Sequence, residues 1–231
     1  YLIPGQEVLL DDGKIHLKIV EKAENVTENG GENTQEKRYF AKVLWGGLLK
    51  SRKSAALPGA KIYPPTLTNS DLANIKIANE MGVTGVMQPF VRDHSDLECV
   101  KEALREAGAE DIRLFAKIEN MDGVRKLEKL LPAADEIVIA RGDLGNAVHL
   151  WDLPGVQRQI SEKCRAAGKP FMVVTQMLAS MERSPVPTRA EVNDIFHAVM
   201  DGAASIMVTG ETAVGDYPVE VIRYMVNTVR S

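Results

Sequence analysis

Short apolar segments alternate with amphipathic segments of helical period from about residue 67 to the end of the chain. The apolar segments are rich in valine and isoleucine, which is typical of parallel strands that are covered on both faces. They recur roughly every 25 to 35 residues, the length of one βα unit. This alternation predicts an α/β fold of the (β/α)8 TIM-barrel type. The predicted strands are VTGVMQPFVR, IRLFAKIE, EIVIAR, PFMVVTQ and SIMVTG.

An open, doubly wound sheet is the alternative to a barrel. Such a sheet usually carries a glycine-rich phosphate loop after its first strand, and none follows the first of these segments. The barrel is therefore the fold that we prefer. Five strands cannot close an eight-stranded barrel, so we predict a barrel that is incomplete at its N-terminus and contains its last five strands.

Capping boxes indicate where two of the intervening helices begin. Ser95 pairs with Glu98 before a stripe of leucine and valine residues. Thr188 pairs with Glu191 in the same way before a later helix. In the helix that precedes the first of these strands, we expect Leu72, Ile75 and Ala78 to lie on one face.

The first 57 residues have a different pattern. Two alternating runs surround Asp12-Gly13, which is the usual sign of a β-hairpin with a tight turn. A polar, turn-rich segment, NVTENGGENTQEK, precedes a further strand, RYFAKVLWGG. We therefore predict a small, partial β lid domain over residues 1–57 and the barrel segment over residues 58–231.

Composition excludes some classes of partner. A net charge of -4 and an isoelectric point near 5.7 argue against nucleic acid or a membrane surface as the main partner. No apolar run approaches the roughly 18 residues of a membrane-spanning helix. Cys99 and Cys164 are too far apart for a metal motif, so we expect buried structural thiols and a cytoplasmic protein.

Charged residues interrupt the apolar pattern at the ends of two consecutive strands. Lys117 and Glu119 are two positions apart, so on a strand they point to the same side. Asp143 follows the next strand. Two carboxylates that face one cavity repel each other unless a cation lies between them, and Mg²⁺ uses one or two carboxylates together with substrate oxygens. The alternative is a Lys117–Glu119 ion pair that only fills the barrel.

Three other features accompany these charges. The RGDLG segment has the composition of a strand-to-helix turn whose backbone N–H groups could receive a carboxylate or a phosphate. Thr175 and Thr209 end strands with hydroxyl groups, although a single strand-end threonine is more often structural. A basic cluster that includes Lys53 lies beside the β unit, where it is either a solvated loop or a nucleotide contact.

Five motifs follow one another along the chain: AKIEN, ARGDLG, TQML, PTRAEVND and GETAVGDYP. In this order and at these spacings they resemble those of pyruvate kinase. The N-terminal segments LLDDGKIHL and SRKSAALPG resemble the latter part of that family's lid domain. The resemblance implies a (β/α)8 barrel with an inserted β lid. It also implies a glycolytic phosphotransferase that moves a phosphoryl group from phosphoenolpyruvate to ADP, giving pyruvate and ATP.

The resemblance also implies roles for particular residues. Lys117 would stabilise the transferring phosphoryl group, and Glu119 and Asp143 would bind Mg²⁺. The backbone at Gly142 and Asp143 would receive the substrate carboxylate. Thr175 would contact the substrate near the carbon that gains a proton.

The resemblance implies roles for two further residues. Lys53 corresponds to a lid lysine that reaches the nucleotide. Thr209 replaces a serine of the family and keeps its hydroxyl. Potassium is a further ion of the family, but its family ligands lie outside this chain. We also expect a homo-oligomer.

Departures from the family pattern keep two alternatives open. Gln88-Pro89 replaces a segment in which the family has a serine. The first three barrel strands are not in this sequence, so we expect either a preceding segment or a fragment that needs a partner. One alternative function is a Mg²⁺-dependent lyase or aldolase that acts on a pyruvate enolate. The other is a non-catalytic relative of pyruvate kinase.

Overall fold

The computed structural model describes residues 1–11, 13–23, 37–60 and 62–231. The chain divides into two compact units, Tyr1–Pro64 and Pro65–Ser231. Each unit has its own sheet. The predicted domain boundary at residues 57 and 58 stays a prediction. No helix of the described residues is both long and apolar enough to cross a bilayer.

The first unit contains a four-stranded sheet in the order β3-β2-β1-β4. Strands β1 and β2 pair antiparallel with Leu10 opposite Ile15, which confirms the predicted hairpin. Asp12 of the predicted turn and most of the polar segment after β2 lie outside the described residues. The buried apolar side chains among the described residues of this sheet are Val8, Ile15 and Ile19. The strands are β1 Glu7–Leu10, β2 Ile15–Lys22, β3 Tyr39–Trp45 and β4 Ala55–Ala56.

The second unit contains five parallel strands in sequence order, β5-β6-β7-β8-β9. Each predicted apolar segment contains one of these strands. Because all five run in the same direction, their carboxyl ends lie at one edge of the sheet. The strands are β5 Gly85–Gln88, β6 Arg113–Ile118, β7 Glu136–Ala140, β8 Phe171–Val174 and β9 Ser205–Met207.

Helical segments connect these strands. One predicted helix is divided in two by a break at Lys126, and one strand end, at Arg141, turns directly into a helix. The helices are α1 Asn69–Ile77, α2 His94–Glu106, α3 Met121–Arg125, α4 Leu127–Leu130, α5 Arg141–Ala147, α6 Leu153–Ala166, α7 Arg189–Met200, α8 Gly210–Ala213 and α9 Pro218–Arg230, with a 3₁₀ turn over Ala179–Glu182.

The central strand, β7, is packed on both faces of the sheet. Every residue of β7 is buried. Ile137 and Ile139 face the main core, whereas Val138 and Ala140 belong to a smaller cluster with Val174. Alternation along the strand thus places apolar side chains on both faces, as the sequence predicted.

Two predictions about helix starts and faces were wrong. The residue that caps α2 is Asp93, whose carboxylate accepts the Ser95 N–H, and Asp96 closes the capping box in place of Glu98. Asp96 takes this position because its carboxylate is also buried against neighbouring donors. Leu72 is 39% exposed, whereas Ile75 and Ala78, which were predicted on the same face, are buried.

The cysteines differ from each other, so the prediction of two buried thiols was half wrong. Cys164 is buried and Cys99 is exposed. Burial raises the pKa of the Cys164 thiol to about 12, even though the nearby Lys169 lowers it. Cys164 is therefore a packing residue.

Candidate active site

The carboxyl edge of the sheet contains the sequence-predicted site residues of the second unit. Ile118, the last residue of β6, pairs with Ile139 in β7, so Glu119 and the start of α5 follow neighbouring strands. Thr175 follows β8, and Thr209 comes two residues after β9. The parallel topology therefore gathers chemically active residues at one edge.

Lys117 and Glu119 form an ion pair at the end of β6. Lys117 Nζ lies 2.7 Å from Glu119 Oε1, and the Glu119 side chain is only 2% exposed against 25% for Lys117. The backbone N–H of Phe90, in the loop after β5, donates to Glu119 Oε2 at 2.7 Å. A carboxylate this deeply buried requires both a cation and a donor. The contact predicted from strand alternation is thus present.

Helix α5 starts where β7 ends, as the RGDLG pattern predicted. Gly142 and Asp143 are in its first turn. A Cβ on Gly142 would lie 3.1 Å from Thr175 Cγ2, so the lack of a side chain lets this turn approach Thr175 closely. The first turn of a helix is also its electropositive end.

Two charged residues, Arg141 and Glu211, bind the loops after β8 and β9. Neither had a role predicted from the sequence. Arg141 donates two hydrogen bonds to the carbonyl oxygen of Thr175. Glu211, which is 3% exposed, accepts the N–H of Thr209 at 2.8 Å and the N–H of Leu178 at 3.3 Å. The only sequence signal was the appearance of a charge just after an apolar run.

Lys53 belongs to the first unit, where its Nζ lies 2.9 Å from Asp11 Oδ1. The hydrogen bond from Lys53 is the main reason that the pKa of Asp11 lies below its ordinary value. The lysine side chain is 36% exposed. A role for Lys53 in binding a nucleotide stays a prediction.

The donors at the carboxyl edge have the chemistry that Mg²⁺ prefers. No group of three or more histidine, cysteine, aspartate or glutamate residues is arranged to bind a metal within the described part of the chain. Glu119 and Asp143 are two carboxylates at this edge, and Mg²⁺ commonly takes one or two carboxylates and completes its shell with water or substrate oxygens. Glu119 is paired with the Lys117 ammonium.

Comparison with known proteins gives a consistent result over almost the whole chain. Residues 1–222 match the family profile "Pyruvate kinase, barrel domain". The chain is 39% identical over 96% of its length to a pyruvate kinase of Bacillus licheniformis, and 40% identical over 96% to one of Geobacillus stearothermophilus. It is 36% identical over 98% to a pyruvate kinase of Schizosaccharomyces pombe. The chain spans 36%, 36% and 42% of the lengths of these three relatives.

Proposed function

This chain belongs to the pyruvate kinase family and has the fold of that family's barrel domain, and on that premise we propose that it transfers a phosphoryl group from phosphoenolpyruvate to ADP in glycolysis. The observation that carries the proposal is the buried Glu119 with Lys117 at 2.7 Å, at the end of a strand next to the one that leads into Asp143. A cation and two carboxylates at one strand edge suit a reaction in which negative charge moves between oxygens.

In the proposed reaction, the bond between phosphorus and the enol oxygen of phosphoenolpyruvate breaks. A new bond forms between phosphorus and an oxygen of the ADP β-phosphate. The enolate that remains takes a proton on its terminal carbon and becomes pyruvate. Lys117 would stabilise the charge on the transferring group. Its position in β6 next to the carboxyl end and its partly exposed side chain support this role.

Glu119 and Asp143 are the residues that would bind Mg²⁺. The bound ion would supply positive charge to the phosphoryl and enolate oxygens. Glu119 offers a rigid ligand, because Phe90 N–H and Lys117 fix its carboxylate. We assign no potassium ligand to this chain.

The backbone at Gly142 and Asp143 would receive the substrate carboxylate. Its position in the first turn of α5 supports this role, since a helix start favours an anion. The hydroxyl of Thr175 would lie near the carbon that gains the proton, and its methyl is close to Gly142. Thr209 would add a second hydroxyl from the neighbouring strand end.

The remaining assignments concern the first unit and the whole protein. Lys53 would contact a phosphate of ADP or ATP, as a lid residue of this family. We further propose a cytoplasmic homo-oligomer with no nucleic acid or membrane partner. Lys53 is also the reason that we favour a nucleotide-dependent reaction over a lyase.

A coupled assay on the full-length gene product tests the proposal. We expect pyruvate from phosphoenolpyruvate only when ADP and Mg²⁺ are both present. Glu119→Gln and Asp143→Asn should each lower kcat by several orders of magnitude and weaken the dependence on Mg²⁺, because each removes a charged metal ligand.

Glu136→Gln is the matched control. Glu136 is also a buried carboxylate of the same sheet, but it lies at the start of β7, where it bonds to Arg113 and Ser205. This variant should keep kcat within about two-fold, because the amino ends of barrel strands serve stability. Wild-type turnover in Glu119→Gln would reject the site assignment.

The same assay separates the two alternatives. Cleavage of a hydroxy-acid substrate without ADP would favour the lyase or aldolase. No turnover by the complete wild-type protein, with or without ADP, would favour the non-catalytic relative. The proposal requires that turnover follow the ADP concentration.

A further inference from the structure

The loop after β8 has an unusual backbone. Thr175 has a φ of 87° and Gln176 a φ of 55°, so two successive residues with side chains lie in the left-handed region. A β-branched residue such as threonine is rarely found there, because its side chain clashes with the backbone. Such a conformation persists only where the surrounding structure imposes it.

Arg141 binds the backbone of this left-handed pair of residues. Nη2 and Nε of its guanidinium both donate to the carbonyl oxygen of Thr175, at 2.8 and 3.3 Å. Nη2 also contacts Sδ of the buried Met177. The arginine therefore holds the loop at both ends of its strained pair of residues.

Asp194 fixes the guanidinium from the other side. Nη1 of Arg141 donates to Asp194 Oδ1 at 2.8 Å, and Asp194 lies in α7. The Arg141 side chain is only 13% exposed. A guanidinium with Nη1 on a carboxylate and Nη2 and Nε on a carbonyl is held in one orientation by its planar geometry, and Gln157 Oε1 adds a weaker contact to Nη1 at 3.5 Å. Lysine could not reproduce it, since its ammonium is one point donor.

Gly142 completes the arrangement. The residue after Arg141 approaches Thr175 so closely that a Cβ would lie 3.1 Å from the threonine methyl. Two successive residues of α5 thus contact Thr175. Gly142 packs against its side chain, and Arg141 donates hydrogen bonds to its carbonyl oxygen. Both constraints determine where the threonine hydroxyl lies relative to the start of α5.

We propose that Arg141 is a positioning residue that acts through Thr175, holding the threonine against α5 in a conformation that it would not adopt alone. The proposal rests on the proposed function, in which Thr175 contacts the substrate near the carbon that gains a proton. The closest contacts of Arg141 are with Thr175, Met177 and Asp194, so its effect would pass through the threonine. A displacement of about 1 Å in a substrate-contacting group can lower a rate about 100-fold.

A double-mutant cycle in the full-length gene product tests this. Arg141→Met should lower kcat for pyruvate formation about 100-fold and leave the KM for ADP within about two-fold. In a Thr175→Ala background, the same change should lower kcat less than about three-fold, because its effect passes through the threonine. Arg141→Lys should resemble Arg141→Met. Equal losses in both backgrounds would overturn the proposal.

Hydrogen exchange provides a readout that does not depend on activity. We expect Arg141→Met to increase deuterium uptake in a peptide that spans residues 171–182, relative to wild type. Arg113→Met is the control, since Arg113 also pairs with a carboxylate, that of the buried Glu136, at 3.1 Å but at the opposite end of the strands. It should change neither kcat nor exchange in that peptide.

The two readouts separate failure of the clamp from failure of the proposed function. If the wild-type protein forms no pyruvate, the proposed function fails, and unchanged exchange in Arg141→Met would then also reject the clamp. If Arg141→Met does not fold, Asp194→Asn gives the same cycle with a milder change, because it keeps an acceptor for Nη1. An active wild type with unchanged exchange in Arg141→Met overturns the clamp alone.

Discussion

Asp96 links the start of α2 to the loop after β5, and its charge should make folding sensitive to acid. The Asp96 carboxylate accepts hydrogen bonds from the Arg92 guanidinium at 2.6 and 3.1 Å, from Arg92 N–H at 2.8 Å and from the Thr66 hydroxyl at 2.6 Å. Only 5% of its side chain is exposed. Protonation would remove the charge on which all of these contacts depend.

The magnitude follows from the pKa. Burial alone would raise the pKa of Asp96, but the bonds from Arg92 and Thr66 outweigh it and lower the pKa from 3.8 to about 2. At about 1.4 kcal/mol per pKa unit, the ionised carboxylate contributes about 2 to 3 kcal/mol to the free energy of unfolding. Since the pKa is lower in the folded state, this contribution is complete above about pH 5 and is lost as the pH falls from about 4 through 2.

The assay is urea unfolding of wild type and Asp96→Asn at several pH values between 7 and 2. Other carboxylates also have lowered pKa values, but they are common to both proteins and cancel in the difference. We expect the difference in unfolding free energy to decrease by about 2 kcal/mol between pH 5 and pH 2. Asp71→Asn is the matched control: Asp71 holds the same capping-box position in α1 but lies at the surface, so its difference should vary less. A difference that stays constant with pH would refute the reasoning.

Three further predictions concern the thiols, a helix cap and the site. Iodoacetamide at pH 8 should label Cys99 but not Cys164 in the folded protein, because Cys164 is buried with a pKa of about 12; peptide mass spectrometry measures this. Thr188→Ala should lower the free energy of unfolding by about 1 kcal/mol through loss of the α7 cap, as measured by urea unfolding. Gly142→Ala should lower kcat about ten-fold or more in the coupled assay, since its Cβ would displace Thr175.

The sequence was sufficient to predict the parallel α/β fold, because each of the five strands is a short apolar run between segments of helical period. It was insufficient at α2, where two capping boxes overlap: Asp93 with Asp96, and Ser95 with Glu98. Local preference does not distinguish them. The first is formed because Asp96 also bonds to Arg92, which depends on how the loop after β5 folds back.

The contacts of the candidate site were also predictable only where they are local in the sequence. Strand periodicity was enough to bring Lys117 and Glu119 together, because they are two residues apart on one strand. The contacts of Arg141 with Thr175 and of Glu211 with Leu178 join residues 34 and 33 positions apart in the chain. Such contacts depend on which strands are neighbours and on the shapes of two loops, and neither is present in a local pattern.

Glu119 and Arg141 share a structural task that affects how mutants must be interpreted. Each holds a neighbouring loop at a residue with positive φ: Glu119 accepts Phe90 N–H, where φ is 51°, and Arg141 binds the carbonyl of Thr175. Loss of activity in Glu119→Ala would therefore combine a lost ligand with a released loop. Glu119→Gln keeps an oxygen for Phe90 N–H but loses the charge, so the Mg²⁺ dependence of this variant tests the proposed role in metal binding while the contact with the loop is kept.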